Sequence, residues 1–190
     1  MRHKYQLRQQ LKSQRAELTQ QQQQYHAIRA CLRLSQFRAF RVARHIGTYA
    51  PIQQEISPTL LQSLWPGKHF YYPKTLDNGS MEFSEASNRH PLVKSHMQLM
   101  EPTAPQVCHI NQLDCMLIPL LGFTIHGQRI GFGGGYYDRY LQRFSRHQWH
   151  RKPVLIGLAY PFQQIDFVES EPWDVSLHHV FTAQEHIHCR

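Results

Sequence analysis

The 190-residue chain is 41% hydrophobic and 12% aromatic, enough apolar surface for one sizeable core and too much for a disordered polypeptide. Its formal charge of +8, with 14 histidines counted as neutral, favours anionic partners but does not choose among nucleotides, polycarboxylates and nucleic acids. No apolar run approaches the roughly 20 residues of a membrane span. No apolar signal core interrupts the polar, Gln-rich start, and Cys31, Cys108, Cys115 and Cys189 form no CxxC pair. A cytoplasmic protein forming one domain over residues 1–190 is expected, with reduced core thiols rather than a zinc site or a disulfide framework.

The opening segment RHKYQLRQQLKSQRAEL places Leu7, Leu11 and Leu18 at helical spacing, with Arg and Lys on the other faces. Thr19 is a candidate N-cap for a second helix. Its Gln20 to Gln24 run reads as solvated surface, and its apolar stripe Tyr25, Ile28, Leu32 and Phe37 continues through about five turns. From His45 the periodicity changes. HIGTYAP reads as a short strand ending at Pro51, Ser57 as the cap of a helix through Trp65, and KHFYYP and SMEFSEA as further strands. Residues 88–111, with three prolines after Arg89, read mostly as loop. CMLIPLLGF and PVLIGLAY are apolar strands suited to the middle of a sheet, a helix starts near Tyr136 between them, and HHVFTA is a last short strand. Strands alternating with helices imply parallel pairing through crossovers. The expected fold is α/β: a single domain with a mostly parallel central sheet flanked by helices, Rossmann-like in three layers, and an N-terminal helical pair.

The segment RIGFGGGYYDR, Arg129 to Arg139, crowds Gly131, Gly133, Gly134 and Gly135 between a strand and a helix. Glycines there permit positive φ and let backbone N–H groups face an anion, and the helix start adds partial positive charge. A tight structural turn is the plain alternative, although a turn seldom needs four glycines flanked by Arg and Asp. The dinucleotide fingerprint GxGxxG fails at Tyr136, and the Walker pattern fails for want of GK followed by Ser or Thr. Asp138 in the first helical turn complements the helix dipole and is also suited to a magnesium ion held by phosphate oxygens. Arg129 and Arg139 flank the loop with cations.

Leu117 to Leu141, LIPLLGFTIHGQRIGFGGGYYDRYL, closely resembles the signature of the 5-formyltetrahydrofolate cyclo-ligase family, also called methenyltetrahydrofolate synthetases. The resemblance extends to Lys4, Leu7 and Arg8 in the N-terminal helix, to TYAPIQQEI, to Glu101 with Pro102, and to EPWDVSLHHVFT. It implies a ligase that closes 5-formyltetrahydrofolate to 5,10-methenyltetrahydrofolate with Mg2+ and ATP as co-substrate, releasing ADP and phosphate through a phosphorylated formyl (iminophosphate) intermediate. Carried over residue by residue, it implies ATP contacts at Lys4, Arg8, Arg129, Gly131, Phe132, Gly133, Gly134, Gly135, Tyr136 and Tyr137. It implies a folate site at Ala50, Glu55 and Phe132 to Tyr136, magnesium ligands at Asp138 and Asp174, and catalytic roles for Arg129, Tyr137 and Asp138. Read alone, Lys4 and Arg8 are a solvated helix face, Glu55 a surface acid and Asp174 a loop acid.

The chain departs from the family pattern at Phe132, where Tyr or a basic residue is common, and at Gly134, where some members carry Lys. Charge at the loop must then come from backbone dipoles and arginines. His178 and His179 stand where an acid is common. The expected partners are 5-formyltetrahydrofolate, with a polyglutamate tail a candidate for the basic surface, and ATP; a monomer is expected, with neither a membrane nor nucleic acid as partner. Two alternatives stay open: a basic nucleic-acid-binding protein using Phe70, Tyr71 and Tyr72 as stacking platforms, and a family member using the nucleotide site on another substrate.

Overall fold

The structure, a computed structural model, describes residues 2–145 and 153–189. The chain opens with helix α1 (Arg2–Ala16) and helix α2 (Gln20–Ser35). Thr19 caps α2 as expected: its Oγ accepts from the Gln22 amide at 3.2 Å, and its own amide donates to the Gln22 side chain at 2.9 Å. The stripe expected on α2 lies elsewhere. Tyr25, Ile28 and Leu32 are exposed, whereas Ala30, Cys31 and Leu34 are buried. Ala30 and Cys31 allow close packing there, while Leu34 and Leu32 are the same residue on opposite faces, so what packs against the helix selects its inward face. The helix also stops before Phe37, which initiates the short α3 (Arg38–Val42) from an extended backbone.

Strand β1 (His45–Gly47), the one-turn helix α4 (Leu60–Leu64), β2 (His69–Thr75) and β3 (Met81–Glu85) follow. Ser57 does not cap α4 directly; Thr59 occupies the N-cap position, with the Ser57 hydroxyl 2.8 Å from its hydroxyl. Residues 88–111 contain more structure than expected: a hairpin of β4 (Leu92–Lys94) with β5 (Met100–Pro102), and β6 (Val107–Cys108). Next come β7 (Cys115–Ile118), the hairpin of β8 (Gly122–Phe123) with β9 (Arg129–Ile130), and α5 (Tyr136–Ser145). The chain ends with β10 (Val154–Leu158), β11 (His179–Phe181) and β12 (His186–His188), the last unforeseen in the sequence.

The main sheet has the order β12-β11-β10-β7-β1-β2-β3-β6. Pairing from β11 through β10, β7 and β1 to β2 is parallel, and the outer strands are antiparallel, β12 on β11 at one edge and β3 with β6 at the other. The fold is therefore the expected α/β architecture, with a mostly parallel sheet flanked by helices. The Asp114 carboxylate, just before β7, accepts from the amides of Arg44 at 2.7 Å and His45 at 3.0 Å, which sets the register between β1 and β7. Side chains alternate across the central strands. Cys115, Leu117, Ile156 and Phe181 join the core under α2, while Met116, Ile118, Leu155 and Val180 join the core under α5. Phe70 and Tyr72 are buried on the α2 side, which removes them as platforms for nucleic-acid bases.

The connections decide where a ligand cavity forms. The crossover from β1 to β2 passes through α4 beside α2, and that from β7 to β10 passes through α5 on the opposite face. Neighbouring strands β1 and β7 thus send their chains to opposite sides, leaving a crevice beyond their carboxyl ends. The β8–β9 hairpin then carries the chain back to place Arg129 before the glycine loop. Its turn depends on Gly127, whose φ is +79° and where a Cβ would lie 2.2 Å from the Leu177 carbonyl oxygen. Gly127→Ala should therefore lower unfolding free energy by at least about 2 kcal/mol in urea melts; a loss under about 0.5 kcal/mol, the scale of ordinary surface substitutions, would contradict this account of the turn.

Candidate active site

Beyond the carboxyl ends of β1 and β7 lies a cavity of about 530 Å³. Tyr49 and Ala50 reach it from the end of β1, Pro119 from the end of β7, and Pro73 and Thr75 from β2. Helix α1 contributes Lys4 and Arg8, the loop before α4 contributes Ile52 and Glu55, and the β4–β5 hairpin contributes Leu99, Met100 and Glu101. The remaining wall is continuous from Arg129 to Asp138, faced by Glu171, Trp173 and Asp174 from the segment after β10. Every residue that the family resemblance implied for nucleotide, folate or metal contact lines this one space, although Lys4 and Asp174 are 170 positions apart.

The glycine loop turns from β9 into α5 with positive φ at Gly133 (+106°) and Gly135 (+65°), conformations that an L side chain rarely adopts. Arg8 anchors it from α1, its Nε donating to the Gly131 carbonyl at 3.0 Å. Arg129 anchors it from below, donating from Nη1 to the Val175 carbonyl at 3.0 Å and from Nη2 to Asp138 Oδ1 at 2.6 Å. Arg139 does not line the cavity. Its guanidinium lies over the Tyr136 ring and its Nη2 donates to the Gly79 carbonyl at 3.0 Å, so it buttresses the loop from outside.

Asp138 and Asp174 form one charged cluster. Lys4 Nζ lies 3.2 Å from Asp174 Oδ2, and the same carboxylate oxygen accepts from the Glu171 amide at 3.0 Å. Burial pushes the Asp138 carboxyl above its ordinary value; Arg129 opposes the rise and Asp174 adds to it. The two acids are therefore near enough to repel, and a shared cation would relieve that repulsion. Among the described residues no group of three or more His, Cys, Asp or Glu side chains is arranged to hold a metal. Two carboxylates are a fitting protein share for magnesium, which takes oxygen ligands and usually keeps waters or phosphate oxygens for the rest.

Glu55 belongs to a second cluster. It is 9% exposed, and its Oε2 accepts from the Ile52 amide at 2.9 Å. Burial raises its carboxyl to about 7, against the lowering effects of the Ile52 amide and Arg15. The loop that delivers it is strained: Gln53 (φ 45°) and Gln54 (φ 57°) are both left-handed without being glycine. Tyr160 Oη holds the bend by donating to the Gln54 carbonyl at 2.9 Å. Tyr137 faces Glu55, and its hydroxyl is buried with no hydrogen-bond partner. Such a donor inside a cavity wall is available to a ligand oxygen.

Several lining residues escaped the sequence reading. Thr75 carries no motif, and Glu101 and Trp173 were noted only within segments of family resemblance; the Thr75 hydroxyl donates to Glu101 Oε1 at 2.5 Å and so joins β2 to the β4–β5 hairpin. Nothing in the local sequence marks Arg15, which the fold buries behind Phe132. All four cysteines are free, three of them buried, in accord with their reading as reduced thiols.

The chain's sequence and architecture both have clear relatives. The profile of the 5-formyltetrahydrofolate cyclo-ligase family matches residues 1–183. A 5-formyltetrahydrofolate cyclo-ligase from Escherichia coli K12 is 29% identical over 181 residues, covering 92% of this chain and 97% of the relative. One from Haemophilus influenzae is 35% identical over 144 residues, covering 72% and 74%. The solved structure of a 5,10-methenyltetrahydrofolate synthetase from Mycoplasma pneumoniae superposes with a TM-score of 0.73 at 28% identity, over 95% of this chain and 98% of that one. With the match spanning α1, the glycine loop and the Asp174 segment alike, the chain belongs to the 5-formyltetrahydrofolate cyclo-ligase family.

Proposed function

We propose that this protein closes 5-formyltetrahydrofolate to 5,10-methenyltetrahydrofolate, driven by conversion of ATP to ADP and phosphate with magnesium bound. The observation that carries this reading is the single cavity at the β1/β7 crevice, which holds a glycine loop, α1 cations and an aspartate pair together with a separate buried glutamate. A site of this kind suits a nucleotide and a second, nitrogen-rich ligand side by side.

The chemistry asks mainly for positioning and charge neutralisation. A formamide oxygen is a poor leaving group. Phosphorylating it gives an iminophosphate whose carbon is attacked by N10; the C–N10 bond forms, the C–O bond breaks with phosphate, and the N10 proton leaves to solvent. No nucleophilic Ser or Cys is needed. Lys4, Arg8 and Arg129, with the amides of Gly131 to Gly135, bind and orient the phosphates. Asp138 and Asp174 hold the magnesium, which supplies positive charge to the phosphate oxygens. The buried Tyr137 hydroxyl donates to an oxygen of the reacting groups. Phe132 and Tyr136 border both ligands, and Glu55, with Ala50 beside it, accepts hydrogen bonds from pterin N–H groups. The chain's net positive charge suits the anionic folate tail.

Purified protein mixed with 5-formyltetrahydrofolate, ATP and magnesium should develop the absorbance of methenyltetrahydrofolate; a folded preparation without turnover would falsify the proposal. Asp174→Asn should raise the half-saturating magnesium concentration about tenfold or more, a differential of at least about 1.4 kcal/mol. An unchanged magnesium titration removes Asp174 from the metal site. Glu55 accepts on both oxygens, and most strongly, when ionised, and from a midpoint of about 7 the ionised fraction rises from roughly one tenth at pH 6 to roughly nine tenths at pH 8. The KM for 5-formyltetrahydrofolate should therefore fall as pH rises through neutrality at saturating ATP and magnesium. Glu55→Gln should flatten that dependence, and an identical pH profile in the variant would exclude Glu55 from folate binding.

A further inference from the structure

Arg15 lies in the last turn of α1, and at 1% exposure it is the bulkiest of the fully buried side chains among the described residues. It does not line the cavity, and its Nη2 has no hydrogen-bond partner. A buried guanidinium with an unfilled donor is costly, and an apolar side chain of similar volume would fill the space without that penalty. The charge must be read from what it faces. Its guanidinium carbon lies 5.0 Å from the centroid of the Phe132 ring, and Lys12 Nζ from the preceding turn lies 5.7 Å from the same centroid. The Arg15 charge also acts on Glu55, Tyr160 and Tyr49.

We propose that Arg15 is a positioning residue of the folate site: it sets a fixed positive charge behind Glu55 and holds Phe132 against α1, so one helix governs the carboxylate and the glycine loop together. This rests on the assignment of Glu55 to folate binding made above. The pairing also accounts for Phe at position 132. Where the family pattern has Tyr or a basic residue, this chain offers the Phe132 ring to two cations of α1, and the attraction is strongest where the cation is shielded from water.

The groups that face Glu55 separate Arg15 from its surroundings. Tyr49, Tyr137 and Tyr160 bear on it as neutral phenols, each pushed above its ordinary value first by burial. The Ile52 amide donates to it directly. Arg15 is the cation that favours the ionised form. Removing that charge leaves Glu55 buried beside neutral groups, so its proton should be held to higher pH.

The test is the pH dependence of kcat/KM for 5-formyltetrahydrofolate, measured on the whole protein with saturating ATP and magnesium. Arg15→Met should move the midpoint upward by about one pH unit, which reads as about a fivefold loss at neutral pH that recovers at alkaline pH. Arg15→Gln, a second neutral replacement that keeps a polar end, should shift it in the same direction and serves if the methionine variant does not accumulate. Arg15→Lys restores the charge and should bring the midpoint back toward that of the unmodified protein. A purely structural role would lower activity equally at every pH. An active unmodified protein whose midpoint is the same in a folded neutral variant, or a lysine variant shifted as far as the neutral ones, overturns the role of Arg15. Absence of turnover in the unmodified protein instead removes the proposed function.

Discussion

Arg129 is the tie on which the geometry of the cavity depends. Its side chain is 4% exposed, and its two terminal nitrogens reach the Asp138 carboxylate and the Val175 carbonyl. One guanidinium therefore joins the β8–β9 hairpin, the first turn of α5 and the segment that carries Asp174. A planar donor fork suits this better than an ammonium, because two acceptors in different directions are satisfied at once. Without it, the aspartates would belong to two unconnected parts of the chain, and Asp138 would lose the largest of the interactions that favour its charged form.

Helix α1 closes the cavity with few apolar contacts. Leu11 is buried in a small cluster with Leu121, Ile130 and Val168, and Leu7 packs beside it. The remaining attachments are polar, Lys4 to Asp174 and Arg8 to Gly131, together with the Arg15 guanidinium over the Phe132 ring. The helix is thus secured by the groups that would meet ligand. Binding energetics and α1 packing share the same side chains.

Strain and burial are concentrated around this cavity. Gln53 and Gln54 are left-handed just before Glu55, Gly133 and Gly135 carry positive φ in the loop, and the Tyr137 hydroxyl is buried without a partner. The main strands and helices obey simpler rules, with apolar side chains alternating across the parallel strands and Thr19 capping α2. Places that deviate from local preference are where a site is to be sought.

Much of this was legible before any coordinates. The Thr19 cap, the apolar runs that became β7 and β10, the start of α5 at Tyr136 and the glycine loop all rest on interactions within a few residues, which local sequence encodes directly. The inward face of α2, the break before Phe37, the β4–β5 hairpin and β12 were not, because each depends on what packs against it; Tyr25, Ile28 and Leu32 are as apolar as a core stripe yet face outward. The site divides in the same way. Residue types and the contiguous Arg129 to Asp138 motif were readable along the chain. That Lys4, Glu55 and Asp174 share its cavity, and that Arg15 stands buried against Phe132, follows from strand order: crossovers leaving β1 and β7 on opposite faces open the crevice into which distant segments converge. Charge and conformational freedom belong to individual residues, whereas proximity and desolvation arise only when the chain is folded.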